Sequence, residues 1–248
     1  MAFRAVDTDA PSSAEKLVLA SWGLPKEGQT TLGFTFPAPI YLFNFNFGYA
    51  DLVPLLKGKK LYVADYPLPD EFEPITYRRV VTQFRKDWVE ACEQAASNGG
   101  TVMIDKDTEA WQIIGTTLTA EVREEAEEKA RAKDKTRQSV QLDWGKANLM
   151  MGNMQKRPFQ VGCNAIYTHA AKERYNEKGQ PTGMYVMQGF GGTESNVQVV
   201  LQMLVHRTAS GEQKIVGRIE RCRFLGGQQH VGSEIVDPTF DKIMALVA

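Results

Sequence analysis

Residues 23–31 read Gly-Leu-Pro-Lys-Glu-Gly-Gln-Thr-Thr and follow directly on the apolar run Leu-Val-Leu-Ala-Ser-Trp. Two glycines with four residues between them, then hydroxyls, make a loop suited to phosphate. Its glycines let successive backbone N–H groups turn inward around phosphate oxygens, and a helix N-terminus stands behind them. A lysine then reaches the outer phosphates, and a Ser or Thr hydroxyl binds Mg²⁺. Gly23, Gly28, Thr30 and Thr31 meet these needs, but Gln29 stands where the lysine belongs. Glutamine can donate to phosphate without bringing charge. A charge-assisted hydrogen bond is roughly twice as strong as a neutral one. Phosphoryl transfer depends on placed positive charge. The substitution is therefore expected to weaken hydrolysis more than binding. Lys26, inside the loop, is close enough to swing over the phosphates, although a solvated loop lysine is the simpler reading.

Other residues have matching chemistry. The run Thr-Val-Met-Ile-Asp ends in Asp105, with Asp107 and Thr108 just beyond. An acid at the tip of a strand beside a phosphate loop holds Mg²⁺ through its waters. A second apolar run reaches the polar pair Thr168-His169, followed by Lys172 and Arg174. Such a tip can face a terminal phosphate, and the basic pair can reach a neighbouring subunit's nucleotide or remain solvated. The stretch 120–138 is acidic first and then basic, with Lys129, Arg131, Lys133, Lys135 and Arg137. Charge runs are usually solvated helix faces. This one has a second use, tracking a nucleic-acid backbone or a partner subunit.

These residues need elements to hold them. Short apolar runs at 16–22, 39–48, 60–66, 101–105 and 160–169 read as strands. Helical periodicity marks 76–96, about 108–136 and 143–158, the last stopped by Pro158. Alternating strands and helices predict a mostly parallel sheet covered on both faces. After His169 a polar, turn-rich loop is expected at 172–183. Strand-like runs at 184–190, 197–207 and 214–224 and a closing helix at 239–248 follow. The formal net charge of −1 excludes general polyanion binding. The three cysteines and three histidines are scattered, so neither a disulfide framework nor zinc is expected. No window is long enough for a membrane span, and the opening residues lack a signal-peptide core. A cytoplasmic protein is the expectation.

The order GLPKEGQTT, PIYLFNFNFG, GGTVMIDKDTEAW, DWGKAN and AIYTHAAKE, with GFGGTESNVQVV beyond, resembles the phage-encoded RecA-like P-loop ATPases, an AAA-type group. The resemblance spans roughly residues 16–206. It implies a RecA-like P-loop NTPase core of α/β class, with a C-terminal β-hairpin extension. A loose arm at 1–15 would precede the core, and 207–248 would pack on it as hairpin and helix. It implies a nucleotide loop of Gly23, Lys26, Gly28, Gln29, Thr30 and Thr31, with Thr30 and Asp105 on Mg²⁺ and His169 as sensor. It also implies ATP, a ring or filament of like subunits in the host cytoplasm, and single-stranded DNA recombination or replication. Two places in the chain depart from the pattern: Gln29, and the second strand's end, with Asn44 and Asn46 where relatives carry an acid that polarises water. Weak or absent hydrolysis is expected. The alternative is a non-catalytic descendant serving as an oligomerising or partner-binding module.

Overall fold

The computed structural model describes residues 16–45, 48–66, 74–132, 144–207 and 211–247. Six parallel strands form the body of one sheet. They are β1 (Val18–Gly23), β2 (Ile40–Asn44), β3 (Leu61–Asp65), β4 (Thr101–Asp105), β5 (Asn164–Tyr175) and β7 (Val199–Arg207). With the antiparallel β8 (Gln213–Cys222) and β9 (Glu234–Val236), the order is β3-β2-β4-β5-β1-β7-β8-β9. One strand, β5, therefore separates the loop strand β1 from the acid strand β4. The parallel body is the mostly parallel α/β sheet expected, and the β7–β8 hairpin extends it. Helices α1 (Gln29–Gly33), α2 (Pro74–Asn98), α3 (Asp107–Ala132), α4 (Gly145–Val161), α5 (Thr193–Asn196) and α6 (Phe240–Val247) complete the chain with two short 3-10 turns.

The strands are apolar on both faces because both faces are covered. Val18, Ala20 and Trp22 of β1 join Tyr41, Phe43, Val102, Ile104 and Tyr167 under α2, α3 and α4. Leu19, Leu42, Met103 and Ile166 face the opposite way, against Leu32 of α1 and Ile243 and Val247 of α6. The period-two alternation that a strand imposes sorts these residues between two cores.

Three expectations need correction. Pro158 does not stop its helix: α4 runs to Val161 and ends at Gly162, in the left-handed conformation with φ 79°. A proline leaves the carbonyl four residues earlier without its helical donor. That carbonyl belongs to Met154, and the indole Nε1 of Trp88 donates to it at 3.0 Å. Residues 160 and 161 are thus helix, and β5 begins only at Asn164. Nor does β5 end at His169. It continues to Tyr175 and pairs antiparallel with β6 (Pro181–Met187). The expected loop at 172–183 is a hairpin arm, turned by Asn176, whose Oδ1 accepts from the N–H groups of Lys178 and Gln180 at 2.9 Å each. The second strand closes at Asn44, and Asn46 lies outside the described residues. Of the basic run, Lys129 and Arg131 belong to α3, and Lys133, Lys135 and Arg137 lie outside the described residues.

Candidate nucleotide site

The carboxyl ends of β1 and β4 meet at the loop. Gly23 closes β1 where any Cβ would lie 2.8 Å from the carbonyl oxygen of Met203. Gly28, at φ 87°, is the N-cap of α1, a backbone that favours glycine. Between them the chain folds on itself. Glu27 accepts from the N–H of Leu24 at 2.5 Å, and the Gln29 amide donates to the Leu24 carbonyl at 3.2 Å. Burial raises the Glu27 carboxyl above its ordinary value, against the pull of that Leu24 bond. Lys26 is exposed and has φ 70°. Thr31 is half-buried on α1. At the far end of α1, the Lys59 ammonium bonds to the carbonyls of Phe34, Thr35 and Phe36, each at 3.0 Å.

Thr30 and Asp105, 75 residues apart, are in contact: the hydroxyl lies 3.1 Å from each carboxylate oxygen. Thr168 donates to Asp105 Oδ1 at 2.7 Å and accepts from the Lys106 N–H at 2.8 Å. Asp105 is almost fully buried. Burial raises its carboxyl, while the bonds from Thr168 and Thr30 and the nearby Lys106 cation oppose the rise. A buried carboxylate bonded to a loop hydroxyl is a hard-oxygen donor pair suited to Mg²⁺. Beside it, Asn44 ends β2 in register with Asp105 and donates to Asp65 Oδ1 at 2.6 Å. An acid therefore does stand at this edge, on β3.

His169 faces elsewhere. Neighbouring strand residues point to opposite sides, and Thr168, not His169, touches Asp105. His169 is buried, with Nδ1 3.2 Å from the Gln188 carbonyl and Nε2 3.6 Å from Asp107 Oδ2. Gln155 donates to the same Asp107 oxygen at 3.1 Å and to Thr193 at 2.9 Å. Burial pushes Asp107 up to about 7 and His169 down to about 4. Between those values both groups are neutral, so their approach is not an ion pair. Lys172 and Arg174 are exposed on the hairpin arm. Sequence reasoning missed three contributors: Thr168 as the partner of Asp105, Lys106, and Gln155. The polar pair at 168–169 was the available signal for the first. Nothing in the sequence marked the other two.

No family model matches the chain, and no curated protein matches it. Among solved structures it is similar to a KaiC-like protein from the hyperthermophilic archaeon Pyrococcus horikoshii OT3. The identity is 13%, the match covers 89% of this chain and 84% of that one, and the TM-score is 0.47. At that distance the class is read from the structure itself: an α/β protein whose mostly parallel sheet is flanked by helices. No helix among the described residues is long and apolar enough to cross a membrane.

Proposed function

We propose that the chain binds Mg-ATP at the β1–α1 loop and hydrolyses it very slowly or not at all. The observation that carries this reading is the Thr30–Asp105 contact at 3.1 Å, which joins loop and acid strand across β5. Thr30 and Asp105 would hold Mg²⁺, Thr30 directly and Asp105 through water. When bound, the ion neutralises charge on the phosphate oxygens. Gly23 and Gly28 let the loop backbone approach the phosphates, with Lys26, Gln29 and Thr31 around them. In this reading His169 packs within the fold, with Nδ1 at the Gln188 carbonyl, and does not touch phosphate.

The wider reading follows the sequence resemblance: a phage-encoded factor acting in DNA recombination or replication as a ring or filament. Residues 16–206 would be its nucleotide core and 207–248 its appendage. The β5–β6 arm supports a role on single-stranded DNA. Tyr175 and Tyr185 are 55% and 42% exposed there, beside Lys172, Arg174 and Lys178. Aromatic faces for bases and cations for the backbone suit a single strand. One observation favours the non-catalytic alternative: the Gln29 amide is engaged with Leu24 inside the loop.

The test pairs calorimetry with phosphate release on wild type and Gln29→Lys, with single-stranded DNA present. Gln29→Lys should tighten ATP binding by about 1.5–3 kcal/mol, the worth of a hydrogen bond to a charged group. Phosphate release should stay slow in both proteins. If neither binds ATP, the loop is architecture alone and the non-catalytic reading stands.

A further inference from the structure

We infer that Lys106 supplies, from the turn after the acid strand, the phosphate-contacting cation that the loop lacks at position 29. The inference rests on the nucleotide reading above. Three non-glycine residues among those described have positive φ: Lys26 (70°), Lys106 (72°) and Asp237 (46°). The first two are lysines on either side of the site. The left-handed conformation disfavours a side chain, and glycine would fit the Lys106 backbone without strain, yet a lysine stands there. Its position is fixed: the Lys106 N–H bonds to Thr168 at 2.8 Å, Thr168 to Asp105 at 2.7 Å, and Asp105 to Thr30 at 3.1 Å. Three hydrogen bonds, through Thr168 and Asp105, thus tie the lysine backbone to the loop.

The Lys106 ammonium is uncommitted. Among the described residues it makes no hydrogen bond and no ion pair. Lys106 is half-buried, directly after β4 and beside the buried Asp105. A half-buried cation bonded to no carboxylate is available to an incoming anion. Lys26 has no comparable anchoring: it is fully on the surface of the loop. Gln29 is engaged with Leu24. The chemical class of ligand is the outer phosphates of a nucleoside triphosphate.

The experiment moves the charge. Mg-ATP is titrated calorimetrically into the full chain as wild type, Lys106→Gly, Lys106→Asn, and Lys106→Gly combined with Gln29→Lys. Loss of the cation should weaken binding by about tenfold or more. Thermal midpoints should hold or rise, because glycine and asparagine accept positive φ. The combined variant should regain most of the lost affinity. Wild-type affinity in the Gly and Asn variants, with wild type itself binding, would overturn the role of Lys106 and leave the nucleotide site standing. No binding by wild type would overturn both.

Discussion

Asp107 and His169 are buried 3.6 Å apart with opposite displacements in proton affinity. Asp107 keeps its proton to about pH 7 in the fold but only to its ordinary 3.8 when unfolded. Its contribution to stability is full below about 3.8 and is lost as pH rises through 7. His169 falls from 6.5 to about 4 on burial, so its contribution is present above 6.5 and lost as pH drops through 4. The two slopes oppose each other in the window they share. Relative to wild type, Asp107→Asn should show stability that rises more steeply between pH 4 and 6.5, where His169 then acts alone. His169→Gln should show stability that falls more steeply over that window. Urea unfolding across pH measures both, and parallel profiles for all three proteins would contradict the assignment. Asp105 was legible in the sequence because it ends an apolar run. The opposite facing of Thr168 and His169 was not, because two adjacent polar residues do not say which side of the sheet each takes. Lys106 was invisible because the sign of φ is a tertiary outcome.

At the scale of elements, α4 shows what decides a helix end. Proline reads as a stop because it removes a donor, and the sequence expectation closed the helix there. The freed Met154 carbonyl instead takes its donor from Trp88, 66 residues away, which no local pattern announces. Trp88→Phe should cost about 1–3 kcal/mol, the penalty for an unsatisfied buried acceptor. Adding Pro158→Ala to that variant supplies a backbone N–H in its place and should recover part of the loss. Chemical denaturation of wild type and both variants tests this, and a Trp88→Phe protein as stable as wild type would mean that the indole bond contributes nothing. Strands β3 and β4 were legible almost residue for residue, since short apolar runs between turns leave little choice. The β5–β6 arm was not. Its residues are polar and exposed because it leaves the core, and polar exposure reads as loop.

For the whole molecule, strand order turns these parts into a site. The parallel sheet with helices on both faces followed from alternating apolar runs, but the order β4-β5-β1 is set by pairing across the chain. That order puts the Thr30 hydroxyl on the Asp105 carboxylate and lets the β5–β6 arm extend past them. The central claim is that this junction receives Mg²⁺ and a nucleoside triphosphate. The most direct measurement is a crystal structure of the full chain grown with Mg²⁺ and a non-hydrolysable ATP analogue. The account predicts density for the triphosphate within residues 23–31 and an ion on the Thr30 hydroxyl, with Asp105 drawn away from that hydroxyl. An empty loop, with Thr30 still bonded to Asp105 under saturating ligand, would contradict it.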